Sequence, residues 1–183
     1  MPAAQEAIEV VAYDPAWPAQ FERERERIAA ALGDAAVAIE HIGSTAVPGL
    51  ASRPIVDIMV GVEDIERSGQ AVAGLIELGY EYLPEVEAQL PKQRYFRQPA
   101  PTAFHVHMVE RGSAAFERHL LLRDYLRSHP QAVQEYSRLK RGLVLRFHHD
   151  RKAYVNGKAG FVEAVAAAAI REAGSKPPDP QVD

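Results

Sequence analysis

At 183 residues, 47% of them hydrophobic, the chain is long enough for one sizeable core and short for several independent domains. Its 21 Lys and Arg against 25 Asp and Glu leave a formal net charge of -4, which removes the global positive field that bulk nucleic-acid binding requires. With no cysteine there is no disulfide, thiolate metal site or cysteine nucleophile, so any metal ligand has to be His, Asp or Glu.

The opening MPAAQEAIEV has neither a basic region nor a long apolar run, and no segment approaches the roughly 20 apolar residues that span a bilayer, so a cytoplasmic protein without membrane contact is expected. Ile8 to Ala12 reads as a short strand. Tyr13-Asp14-Pro15-Ala16-Trp17-Pro18 reads as a turn into a helix, with Asp14 as its cap and Pro15 in the first turn. From Ala16 to Leu32, Phe21, Ile28 and Leu32 recur near helical spacing while FERERERI charges the other faces, and Gly33 stops the pattern. Ala36 to Ile42 is a predicted strand, and Gly43-Ser44-Thr45-Ala46-Val47-Pro48-Gly49-Leu50 is too rich in Gly and Pro for regular structure throughout.

Pro54 to Val62 carries the clearest strand signal, the near-continuous apolar run of a strand covered on both faces, interrupted by Asp57. Ser68 to Leu78 predicts a helix ended by Gly79, and Tyr80 to Leu83 a short strand. Gln93 to Arg97 and Ala103 to Val109 read as strands joined by a turn containing Pro99 and Pro101. Helices follow at Ser113 to Ser128, Gln131 to His148 and Gly157 to Ala173, with 174–183 expected to be a disordered tail. The expected class is α+β, one domain over 1–173 with a sheet-rich core at about 8–110 and a helical part at about 113–173.

Four groups of residues can carry chemistry. Gly43, Ser44 and Thr45 open a small-residue loop of the kind that lets backbone N–H groups approach a phosphate, although such pairs are more often plain turns. Asp57 inside an apolar strand requires a partner, which is either a hydrogen-bond donor such as Arg53 or a metal ion. His105 and His107, two apart on a strand, point to one face and can converge on one ion or one anionic group. His with carboxylate suits Zn, Mn, Fe or Ni better than Mg. The last group is cationic: Arg53, Lys92, Arg94 and Arg97 near the strands and Arg123, Lys140 and Lys158 on the helices, with Arg123 equally able to pair with Asp124 locally. No phosphate-binding P-loop, dinucleotide fingerprint, zinc-protease motif or nucleophile elbow is present.

These residues resemble the GrpB family through Tyr13-Asp14-Pro15-x-Trp17-Pro18, Glu40-His41-Ile42-Gly43-Ser44-Thr45-Ala46-Val47-Pro48-Gly49-Leu50, Arg53-Pro54-Ile55-Val56-Asp57-Ile58, His105-Val106-His107 and Leu122-Arg123-Asp124-Tyr125-Leu126. The likeness extends through Tyr136, Leu139-Lys140, Tyr154, Lys158 and Phe161. It implies a nucleotidyltransferase-like mixed sheet flanked by helices, in which a Gly-Ser loop holds nucleotide phosphates and a following strand carries two metal-binding carboxylates. Gly43-Ser44 and Asp57 match that layout, whereas Met59 stands where the second carboxylate belongs, and thioether sulfur is a poor ligand for Mg.

The expectation is therefore a nucleotidyltransferase-like protein that binds a nucleotide or another small phosphate-bearing molecule and, if catalytic, transfers a nucleotidyl group with a divalent metal, its metal pair reduced to Asp57 and Met59. Its cofactor would be a divalent ion, Zn, Mn, Ni or Mg, held by Asp57, His105 and His107 as metal ligands and catalytic groups. Gly43, Ser44, Thr45, Arg53, Arg94, Arg123, Lys140 and Lys158 would hold the ligand. The alternatives are a noncatalytic module like the domain joined to dephospho-CoA kinase in some bacteria, here as its stand-alone form, and a one-metal hydrolase.

Overall fold

The computed structural model describes residues 7–87, 92–98 and 103–175. Helix α1 runs Trp17–Leu32 and strand β1 Ala38–Ile42; strand β2 (Ile55–Val62) and helix α2 (Gly69–Glu77) follow. Strands β3 (Glu81–Tyr82), β4 (Gln93–Gln98) and β5 (Ala103–Glu110) complete one five-stranded sheet, ordered β1-β2-β5-β4-β3. Helices α3 (Ala114–Ser128), α4 (Pro130–Phe147) and α5 (Arg151–Ser175) close the chain. The architecture is α+β with a mixed sheet: β2 and β5 pair in parallel and every other neighbouring pair is antiparallel.

Strand parity divides the sheet into two chemically different faces. Val56, Ile58, Val60 and Val62 of β2 and Phe104, Val106 and Met108 of β5 project to one side. There they meet Trp17, Phe21, Ile28 and Leu32 of α1 and Ala71 and Leu75 of α2 in the main core. The residues of α1 that reach this core recur at helical spacing, and Glu24 joins them because Tyr80 Oη donates to it across 2.9 Å and Arg27 pairs with it at 2.7 Å. On the other face, Met59 and Val109 pack with Ile42 and Phe116. A third cluster joins Val47 and Leu50 of the glycine-rich loop to Leu126, Val133, Tyr136 and Val165, so α3, α4 and α5 roof that loop.

Three local expectations are corrected. Residues 8–12 form no strand; Val11 makes one isolated bridge to Ser52, and the Ile8 N–H is taken by the His148 carbonyl at 2.8 Å. Helix α1 begins at Trp17 with Pro18 in its first turn, because the Asp14 carboxylate accepts from Ala16 N–H and closes a turn that contains Pro15. Helix α5 starts at Arg151, ahead of the expected Gly157, since the Asp150 carboxylate accepts from Ala153 N–H at its N-terminus. The turn with Pro99 and Pro101 and most of the tail lie outside the described residues. Among the described residues, no helix is long and apolar enough to cross a membrane.

Candidate functional site

The parallel pairing of β2 with β5 sets Asp57 opposite His105 and Met59 opposite His107, so the carboxylate and both imidazoles share one face at the sheet centre. His105 Nδ1 stands 3.4 Å and His107 Nε2 3.8 Å from the same oxygen, Asp57 Oδ1. Burial pushes the Asp57 carboxyl up, but hydrogen bonding and charge from His105 and His107 outweigh it and hold the group well below the usual carboxylate range. Tyr95 of β4 flanks both rings, at 5.4 Å from His105 and 5.1 Å from His107 between centroids. His119 of α3 lies 5.5 Å from His107 and is lowered to about 4, by burial first and then by the His107 charge.

Two imidazoles and one carboxylate are a donor set that suits Zn, Mn or Ni. Here both ring nitrogens address a single oxygen of Asp57 rather than a common empty point. Among the described residues no group of three or more His, Asp or Glu is arranged to hold one ion. As placed, the three side chains form a polar cluster with both rings turned to one carboxylate oxygen.

On the other side of Asp57 lies the loop. Gly43, at φ 71°, brings its backbone against the carboxylate, and a Cβ there would collide with Oδ2. A 3₁₀ turn over Ser44–Ala46 follows and points Ser44 at helix α4, where Lys140 Nζ donates to Ser44 Oγ across 2.9 Å. A cavity of about 170 Å³ opens here, lined by Gly43, Ser44, Arg53, Asp57, Lys140 and Lys158 together with Ser52, Ile55 and Tyr154. Lys140 is lowered to about 7 and Lys158 to about 8. Burial is the largest cause for both, followed by repulsion from neighbouring cations, Lys158 and Arg53 acting on Lys140 and Arg53 and Arg151 on Lys158, with Asp57 opposing.

Six of the residues expected at the site therefore meet in one cavity, and His105 and His107 stand behind it on Asp57. The others are engaged elsewhere. Thr45 is fully buried and its hydroxyl meets His41 Nε2 at 3.0 Å. Arg123 bridges Glu40 at 2.7 Å and Asp124 at 2.7 Å, tying α3 to β1. Arg94 has the parity of Phe96, on the α1–α2 side of the sheet, and pairs with Glu87 at 3.0 Å. Tyr95, His119, Ser52 and Tyr154 were not among the expected residues. Tyr95 carried a usable signal, because it shares strand parity with Arg97 across a hairpin from two histidines; His119, Ser52 and Tyr154 offered none at the level of spacing.

Comparison with known proteins adds to this geometry. The chain is 36% identical over 165 residues to the UPF0157 protein YqkA of Bacillus subtilis, an alignment covering 90% of this chain and 48% of that protein. The chain thus spans about half the length of that relative. It is 40% identical over 157 residues to a UPF0157 protein of Streptomyces coelicolor, covering 86% of this chain and 81% of the relative. A dephospho-CoA kinase of Mycolicibacterium paratuberculosis is 30% identical over 176 residues, covering 83% of this chain and 43% of the kinase. The solved structure of GrpB from Enterococcus faecalis superposes with a TM-score of 0.82 at 33% identity, covering 91% of this chain and all (100%) of that one. The model of the GrpB protein family matches residues 7–168, and the chain belongs to that family.

Proposed function

We propose that the cavity between the Gly43–Ser44 loop and helices α4 and α5 binds a small phosphate-bearing molecule, without the two-metal chemistry of nucleotidyl transfer. The observation that carries this reading is the charge balance of the lining. Arg53, Lys140 and Lys158 meet one carboxylate, Asp57, which is already engaged by His105 and His107. Cations that repel one another inside a partly buried site favour an anion there; Lys140 and Lys158 are lowered by burial first and by that repulsion second. Arg53 and Lys158 supply the phosphate contacts from the walls, and Lys140 holds Ser44 from below.

Size narrows the ligand. A cavity of about 170 Å³ is smaller than the roughly 300–1,000 Å³ of sites that engulf a drug-sized molecule, so it takes a phosphate group and leaves the rest of a nucleotide outside. Met59 argues against a restored metal pair, because its side chain is fully buried against Ile42, Val109 and Phe116 and offers no donor to the cavity. Likeness to proteins named dephospho-CoA kinase is in keeping with a phosphorylated ligand and assigns none.

The test is thermal unfolding of the purified protein in EDTA with inorganic phosphate, ATP or CTP, and again with Zn, Mn, Ni or Mg. A ligand at one hundred times its dissociation constant stabilises the folded state by about 2.7 kcal/mol. Phosphate should raise the melting temperature without metal, and Arg53→Ala and Lys158→Ala should abolish the rise. A shift seen only with metal and lost in Asp57→Ala and His105→Ala would restore the metal reading. No shift with any of these ligands would end the proposal.

A further inference from the structure

We propose that Ser44 and Lys140 are a nucleophile and general-base pair, with Ser44 Oγ attacking the phosphorus of a phosphate monoester; the substrate class rests on the phosphate-binding reading above. A buried lysine is ordinarily held by a carboxylate, because desolvation of an unpaired ammonium is expensive. Lys140 is 2% exposed, and its partners among the described residues are Ser44 Oγ at 2.9 Å and the ring of Tyr136 at 4.4 Å from the centroid. The charged groups that face it across the cavity are Lys158 on α5, Arg53 before β2 and Asp57 on β2, with the Tyr154 hydroxyl in the same lining.

Burial first, and then two cations against one carboxylate, favour the neutral amine, in line with the lowering of Lys140 to about 7. In the charged form the ammonium donates to Ser44 Oγ. In the neutral form the hydroxyl donates to the amine, which is the arrangement a base needs to activate a serine. The contact joins residues far apart in the chain, one in a tight turn after Gly43 and one on helix α4, so it is not a local accident of helical spacing.

The step balances as follows. Lys140 Nζ takes the hydroxyl proton as the Oγ–P bond forms and the bond from phosphorus to the leaving oxygen breaks. The Lys140 ammonium returns that proton to the departing alcohol. Water then attacks the phosphoseryl group, Lys140 takes its proton and passes it to Ser44 Oγ, and phosphate leaves. The sum is monoester plus water giving alcohol plus phosphate, with Arg53 and Lys158 placed to offset charge on the nonbridging oxygens.

The experiment treats the whole chain with diisopropyl fluorophosphate, whose P–F bond breaks as the serine oxygen bonds phosphorus, and maps the adduct by mass spectrometry. One adduct on Ser44 is expected, forming at least tenfold faster at pH 8 than at pH 5.5, absent in Ser44→Ala and slowed at least tenfold in Lys140→Met. If Lys140→Met does not fold, Lys140→Arg keeps a donor to Ser44 without a usable base and should show the same loss. Release of 4-nitrophenol from 4-nitrophenyl phosphate in EDTA should disappear with the same variants. No adduct on folded protein, an adduct on Ser52 instead, or wild-type labelling in the lysine variants would overturn the pair. Parallel melting with inorganic phosphate separates the two readings. A phosphate shift without labelling removes the nucleophile and leaves the binding site, whereas labelling without a shift or ester turnover overturns the monoester substrate.

Discussion

The Asp57 carboxylate occupies the space that any side chain on Gly43 would need. Gly43 combines φ 71° with ψ -168°, a backbone region open essentially to glycine alone. Gly43→Ala should therefore cost about 1–3 kcal/mol from strain before the collision is counted. In urea titrations, adding Asp57→Ala to Gly43→Ala should recover part of the loss, since it empties the contested space. Strict additivity of the two changes would show that the contact carries no coupling.

His41 makes folding sensitive to mild acid. Burial is the main reason its ring is lowered from 6.5 to about 4, with Arg127 adding to the effect. The unfolded chain takes up the proton first, so between pH 6.5 and about 4 stability falls as pH falls, and the whole interval amounts to about 3 kcal/mol. His119 acts in the same direction. The double variant His41→Phe with Thr45→Val keeps a ring against Phe21, 4.7 Å away, and leaves no hydroxyl unpaired. Its urea midpoint should change less between pH 7 and 4.5 than that of the wild type; an unchanged slope would clear His41.

Met59→Asp would restore the paired carboxylates of a nucleotidyltransferase in sequence only. The side chain is fully buried among Ile42, Val109 and Phe116, so an introduced carboxylate would be desolvated in an apolar cluster, with His107, already turned to Asp57, as its cross-strand neighbour. A loss of about 3–5 kcal/mol is expected, with no gain in Mg-dependent melting temperature. A stable variant that binds Mg would show that the second metal position is intact.

Two glycines of α5 should respond in opposite directions. A Cβ at Gly157 would run into Leu143 of α4, whereas one at Gly160 meets open space. Gly160→Ala should stabilise by about 0.5–1 kcal/mol through helix propensity, and Gly157→Ala should lose more than that gain. Equal effects in thermal melts would mean that α5 does not dock on α4 as described.

The meeting of Asp57 with His105 and His107 was legible because period-two alternation on two apolar strands leaves few ways to place them, and parallel pairing supplied the register. Arg94 was a different matter. Its charge suggested the site, but parity sets it beside Phe96, and the sequence alone did not fix which parity faced the histidines. Arg123 and Thr45 were legible as polar and not as spent, since their partners Glu40 and His41 sit on a strand whose distance from α3 and the loop no local pattern reveals. Lys140 and Lys158 were visible as helix cations, and only the packing of α4 and α5 over the loop turns them inward. The early start of α5 was hidden because Gly157 reads as a boundary, whereas here it serves as a close-packing position.

The cavity draws its walls from the loop after β1, from β2, from α4 and from α5, so its parts are scattered over the sequence from Gly43 to Lys158. A chain still emerging from the ribosome has the loop and Asp57 long before it has either lysine. The cavity is thus complete only after Lys158 has been made and α5 has packed, so the proposed anion binding would double as a report that loop, sheet and helices have closed on one another.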